Sequence, residues 1–324
     1  MQEAVLLIGH GSRDAEGNRQ FESFVERVRA RKPDTRIELA YLELARPTIG
    51  ETIERLAAEG VTAITAVPVI LLAAGHVKIE IPHMLDEARQ RHPQLQIRYG
   101  RHLGLHHAIL EIMEERLQAA ETAGHNRQDT TVLLVGRGSS DPDANGDLYK
   151  LARILWERTG VAHVETCFIG VTYPDFPGGV RRAANTGTSS VIVLPYFLFT
   201  GVLMKRMEAM LQELSLQFPA VAFSLADTFG YHPKLVDIVS DRIEEVATGE
   251  AKMNCDMCKY RLHAAHHHDH DHDHNEHEHG HGHGQPHTAG EPSHHHAAHG
   301  HNHGHSPRQE EPVPHHASGV KRNV

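Results

Sequence analysis

Residues 5–14, Val-Leu-Leu-Ile-Gly-His-Gly-Ser-Arg-Asp, return as residues 132–141, Val-Leu-Leu-Val-Gly-Arg-Gly-Ser-Ser-Asp. The same offset of 127 pairs Pro47 with Pro174, Pro68 with Pro195 and Lys78 with Lys205. After a one-residue slip, Gly104 and His106 match Gly230 and His232. A chain repeated this way folds as two copies of one unit, and the positions that differ between copies mark chemistry kept in only one. His10 gives way to Arg137, Glu43 to Gly170 and His76 to Leu203.

Within each copy, apolar runs alternate with amphipathic stretches. Ala4 to Ile8 predicts a buried strand, and Phe21, Phe24, Val25 and Val28 then fall on one face of a helix. Further strands are expected over 37–42, 62–72 and 94–99. Between them, a helix opened by Pro47 carries Ile49, Ile53 and Leu56 and closes at Gly60. The helix after the third strand buries Ile81, Met84, Leu85 and Ala88, and a last helix covers 105–120. The second copy repeats the pattern, with strands near 131–135, 163–169, 190–198 and 221–226. Strands alternating with helices imply an α/β fold with mostly parallel sheets, four strands in each. The expected domains are 1–124 and 131–250, joined by a polar linker, followed by 251–324. That last stretch holds 21 of the 31 histidines and almost no bulky apolar residues, so it is expected to be disordered unless metal organises it.

Composition excludes several classes. A net charge of -10, with no stripe of Lys and Arg among aromatics, argues against a nucleic-acid partner. The longest apolar run, over 61–75, is about fifteen residues and is broken by Pro68, too short for a membrane span. The amino terminus carries no basic leader, and three cysteines make no disulfide framework, so the cytoplasm is the expected compartment.

His10, Glu43 and His76 each fall just past the expected carboxyl end of a strand. In an open parallel sheet those ends line one edge, where ligands bind. Two imidazoles and a carboxylate there suit a divalent ion of the Co, Ni, Fe or Zn kind, and equally suit proton removal near neutral pH. The alternative for each is a side chain that merely hydrogen-bonds loop backbone, but their joint loss in the second copy argues against that. Gly9-His-Gly-Ser12 also has the layout of a phosphate loop, yet lacks both the Lys-Ser/Thr ending and a spaced G-x-G-x-x-G. Ser12 is either a helix cap or a ligand contact.

Leu-Leu-Ile-Gly-His10-Gly-Ser-Arg, Glu43 ahead of Ala-Arg-Pro-Thr48, and Pro68-Val-Ile-Leu-Leu-Ala-Ala-Gly-His76-Val-Lys resemble the class II chelatases of tetrapyrrole synthesis, in their long two-domain form. The resemblance covers residues 1 to about 262. It implies paired Rossmann-like domains with a tetrapyrrole cleft between them, His10 and His76 carrying the metal, and Glu43 assisting. The implied activity is insertion of Co2+ into sirohydrochlorin with release of two protons, in cobalamin synthesis. The alternatives are insertion of Fe2+ for siroheme, and storage of cobalt or nickel without catalysis. A substrate rich in carboxylates calls for cations. Arg13, Arg46 and Lys78 adjoin the three site residues, and Arg137, Lys205 and Arg206 are their counterparts in the second half. The expected partners are therefore the tetrapyrrole and a divalent ion, in a monomer or homodimer.

Met253-Asn-Cys255-Asp-Met-Cys258 is similar to the iron–sulfur motif near the end of long-form members, although two thiolates do not complete a cluster. Cys167 falls on an expected strand and is read as an inert core thiol. The tract containing His266, His268, His270, His272 and His274, interleaved with Asp and Glu, has the composition of a metal buffer that stores or delivers cobalt or nickel.

Overall fold

A computed structural model describes residues 2–122 and 126–249. Cys255, Cys258 and the histidines of the 266–274 tract lie outside the described residues.

The apolar run near the amino terminus forms β1 (Glu3–Gly9), buried from Ala4 onward because apolar clusters cover both faces of its sheet, Val5 and Leu7 in one and Ala4, Leu6 and Ile8 in the other. Then follow α1 (Ala15–Arg31), β2 (Ile37–Tyr41), α2 (Ile49–Ala58), β3 (Ala63–Pro68), α3 (Ile81–Arg91), β4 (Gln96–Tyr99) and α4 (His107–Ala120). The second half repeats the order as β5 (Thr130–Gly136), α5 (Pro142–Thr159), β6 (His163–Phe168), α6 (Phe176–Ala184), β7 (Ser190–Pro195), α7 (Val202–Ser215), β8 (Ala222–Leu225) and α8 (Pro233–Thr248). Each half has one four-stranded, wholly parallel sheet, ordered β2-β1-β3-β4 and β6-β5-β7-β8. The repeat extends to register. Val5 faces Ile37 and Thr65, and Val132 faces Val164 and Ile192, each shifted by 127.

The expected helix faces are buried at Phe21, Phe24, Val25, Val28, Ile49, Ile53, Leu56, Ile81, Leu85 and Ala88, while Met84 is only partly covered. Two boundaries differ from expectation. Helix α2 starts after Pro47, because Thr48 is its cap: the Thr48 side chain accepts from the Glu51 N–H and the Glu51 carboxylate accepts from the Thr48 N–H. Strand β3 stops at Pro68, where the ring removes the N–H that a ladder would need. Beyond it, the carbonyls of Ile70 and Leu71 accept from Leu103 and Gly104 instead.

The two halves do not bury separate cores. One apolar cluster fills the α2–α3 side of the first sheet and another the α6–α7 side of the second. The largest runs through both halves and includes α1, α4, α5 and α8. Helix α4 packs against β7 of the other sheet, and α8 packs against β3. The exchange is pinned reciprocally. Arg116 on α4 donates to the Phe229 carbonyl at 2.8 Å, and Arg242 on α8 donates to the Leu103 carbonyl at 2.5 Å. Cys167 is fully buried in β6, and burial pushes its thiol up to about 12, as an inert core thiol requires. No described helix is long and apolar enough to cross a membrane.

Candidate active site

The carboxyl end of β1 runs into the Gly9–Asp14 loop. Ser12 and Asn18 exchange two hydrogen bonds of 2.9 Å, the Ser12 N–H to Asn18 Oδ1 and Asn18 Nδ2 to the Ser12 carbonyl. Ser139 and Asn145 do the same in the second half. The helix cap is Asp14 rather than Ser12; the Ser12 hydroxyl accepts from the Asp14 N–H at 3.0 Å. Gly11 has φ +89°, and a β carbon there would lie 1.8 Å from the Glu43 carbonyl oxygen. Only glycine lets the β1 loop meet the loop after β2. That second loop is tied down by Leu42 and Glu43, whose N–H groups donate to the carbonyls of Gly9 and His10 at 2.9 and 3.1 Å. His76 comes from neither a strand end nor a regular helix. It begins a π-helical turn, His76–Glu80, that leads into α3. Such turns re-aim a side chain out of the helical register.

These elements bring the three candidate residues together. The His10 and His76 rings meet edge to face with centroids 4.8 Å apart, and His10 Nε2 is 3.6 Å from Glu43 Oε1. One donor atom from each of His10, Glu43 and His76 lies within 4.8 Å of the other two. Two donors of one ion, at roughly 2.0–2.2 Å each, can be no more than about 4 Å apart, so an ion draws the side chains slightly inward. His76 Nδ1 is buried without a hydrogen-bond partner; Glu80 Oε1 is 2.9 Å away but out of line. A buried nitrogen left in this state suits a ligand.

Arg137 stands at the repeat position of His10 and reaches it, with Nη1 2.8 Å from His10 Nε2. A guanidinium can only donate, so Nε2 carries the lone pair and Nδ1–H points to the Gly11 carbonyl at 3.1 Å. Burial, then the charge of Arg137, lowers the His10 pKa, and the ring is neutral at pH 7. A neutral imidazole with its lone pair in the cleft is a metal donor.

The cleft around this group, about 860 Å³, lies between the halves. Its walls are largely apolar, including Val69, Leu71, Val77, Leu198, Val202 and Met204, with Ser12, Arg13 and Arg137 as polar lining. The other expected cations sit elsewhere. Lys78 bridges Asp141 and Asp143 at 2.7 and 2.8 Å, and Lys205 pairs with Asp14 at 2.5 Å. Arg46 pairs with Glu51 on the surface, and neither it nor Arg206 lines the cleft. Glu80 and Leu44 are among the lining residues that the sequence reading did not single out. Glu80 could have been found by comparing the copies, since its counterpart is the buried Met207. Leu44 carried no sequence signal.

Comparison with known proteins finds the same duplicated unit and the same fold. The CbiX family model matches twice, over residues 4–120 and 131–246. A sirohydrochlorin cobaltochelatase of Priestia megaterium is 46% identical over 82% of this chain and 88% of that protein. A sirohydrochlorin ferrochelatase of the same organism is 38% identical over 76% of this chain and 92% of that protein. The solved structure of SirB from Bacillus subtilis with Fe3+ superposes with a TM-score of 0.68 at 32% identity, covering 77% of this chain and 97% of that one.

Proposed function

The chain belongs to the CbiX family, and from that premise we propose that it is a sirohydrochlorin chelatase, inserting Co2+ into the macrocycle in cobalamin synthesis. The observation that carries this reading is the convergence of His10, Glu43 and His76 at one point of an apolar-walled cleft.

The reaction exchanges two pyrrole N–H protons for one divalent cation. His10, neutral and with Nε2 facing the cleft, donates to the incoming ion together with His76. Three protein donors spaced as widely as these leave positions for pyrrole nitrogens and do not trap the ion. The Glu43 carboxylate, roughly half exposed beside His10, takes the two pyrrole protons in turn and passes each to solvent. Apolar walls receive the faces of the ring, and Arg13 and Arg137 receive its carboxylates. Arg137 exchanges His10 for a substrate carboxylate as the ion arrives.

Insertion of Fe2+ is the second reading, since a relative at 38% identity carries the ferrochelatase name. The 46% identity to a cobaltochelatase and the histidine-rich sequence after residue 262 favour cobalt. In this reading that segment buffers cobalt or nickel for the cleft.

The test is the anaerobic initial rate of insertion into sirohydrochlorin by the full chain, with Co2+ and Fe2+ in separate runs. Faster spectral change with Co2+ is expected, falling at least about a hundredfold in His10→Ala and in His76→Ala. Faster turnover of Fe2+ would reassign the metal. No insertion above the protein-free rate with either ion would leave metal storage as the better account.

A further inference from the structure

Leu44, next to Glu43, holds a backbone conformation that leucine disfavours. Its φ is +62°, and it is the one non-glycine with positive φ among the described residues. The Ala45 N–H donates to the Glu43 carbonyl at 2.8 Å, closing a three-residue turn with Leu44 at its apex. Glycine, Asn or Asp are the usual occupants of such a backbone, because a bulky β-substituent crowds the following carbonyl. Turns of this size with positive φ at the apex are rare. The surroundings enforce it. The Glu43 carbonyl is wedged against Gly11, and the Leu42 and Glu43 N–H groups are bonded to the β1 loop.

Burial does not compensate. Leu44 borders the cleft yet is 48% exposed. A leucine held strained and half in water serves something other than folding, and backbone outliers of this kind cluster where ligands bind. The second half sharpens the point. Val171, the repeat partner of Leu44, also borders the cleft and is 64% exposed, but its φ is not positive. Its neighbour is Gly170 where the first half has Glu43. Both halves thus present an aliphatic tip to the cleft, and only the tip beside the carboxylate is locked.

We propose that Leu44 is a positioning residue for the macrocycle: its side chain bears on the flat apolar face of the tetrapyrrole and sets the distance of the pyrrole nitrogens from Glu43 and His10. This rests on the chelatase reading. A tetrapyrrole offers an apolar face and a charged edge, and an aliphatic tip at a cleft mouth matches the face. The turn joins that tip and the proton-accepting carboxylate in one rigid unit, so ring and acceptor keep their spacing while the ring loads.

The test uses the full chain and two substitutions, Leu44→Gly and Leu44→Met. Glycine relieves the backbone and removes the tip; methionine keeps an apolar side chain of similar reach. Leu44→Gly should melt no lower than the parent, and its KM for Co2+ should stay within about twofold of the parent. Its Kd for sirohydrochlorin in metal-free buffer should weaken about tenfold, and kcat should fall by about the same factor or more, because small misplacements at a reacting centre are costly. Leu44→Met should recover most of both losses. Sirohydrochlorin affinity and kcat in Leu44→Gly within about twofold of the parent would overturn the proposal. So would a changed KM for Co2+ with unchanged sirohydrochlorin affinity, which would show that the turn serves Glu43 alone. A parent chain that binds no sirohydrochlorin would instead sink the chelatase reading, and this inference with it.

Discussion

Gly11 and Gly138 are repeat partners with nearly the same backbone, φ +89° and +85°, but a methyl group would meet different obstacles at the two sites. At Gly11 it meets the Glu43 carbonyl at 1.8 Å, which cannot yield without moving the carboxylate; at Gly138 it meets the Thr172 methyl at 3.0 Å. Both substitutions to Ala should destabilise by roughly 1–3 kcal/mol through the positive φ. Only Gly11→Ala should also lower kcat for metal insertion, by about a hundredfold. Thermal melts and initial rates on the pair check this, and equal rate losses would mean that both loops serve catalysis. The same comparison of copies explains what was legible at this scale. His10, Glu43 and His76 stood out because the second half kept the loops and replaced all three side chains. Glu80 is visible by the same subtraction, since its counterpart is Met207. For Lys78 and Lys205 a sequence shows the cation but not the carboxylate beside it. Each has paired with the aspartate that caps the first helix of the opposite half. Leu44 could not have been found, since its distinction lies in φ alone.

The order of strands and helices followed from hydrophobic period, but their ends did not, because ends are decided by single hydrogen bonds. The apolar run through Pro68 suggested a strand to residue 72, yet the chain leaves the sheet there and spends seven residues reaching His76. The π-helical turn that then aims His76 was illegible, since its apolar spacing does not differ visibly from that of the helix it introduces. Helix α2 shows an end that composition did encode, Thr48 followed three residues later by Glu51, although Pro47 drew attention first. Thr48→Ala removes one of the two reciprocal capping bonds and should cost about 1 kcal/mol. In a domain pair of this size that is a fall of roughly 2–4 °C in melting temperature. Because Thr48 does not line the cleft, kcat should hold, and a matching loss of rate would show that α2 feeds the Glu43 loop.

Between the halves, duplication appears as reciprocity. Lys78 reaches Asp141 as Lys205 reaches Asp14, and His106 pairs with Asp241 at 3.0 Å as His232 pairs with Glu115 at 2.7 Å. The exchanged helices α4 and α8 carry the second set, so charge at this seam bears on how the halves hold together and how the cleft keeps its width. Its pH dependence can be worked out by sign. Burial, then the charges of Arg242 and Arg101, pushes His102 down to about 4, and burial lowers His106 as well. Both take up a proton less readily in the fold than in the unfolded chain, where histidine protonates near pH 6.5. The contribution of His102 is complete above pH 6.5 and is lost as pH falls from there toward 4, and His106 acts in the same direction. Glu115 behaves separately. Hydrogen bonds from Lys234 and His232 hold it at about 2, so its contribution is lost only as pH falls from the ordinary glutamate range toward 2. Melting temperature should therefore decline in two steps on acidification. His102→Gln should flatten the upper step by on the order of 5 °C and leave the lower one, while Glu115→Gln should soften only the lower. An upper step that survives His102→Gln unchanged would place its proton uptake at other histidines and detach the seam from the acid sensitivity of the fold.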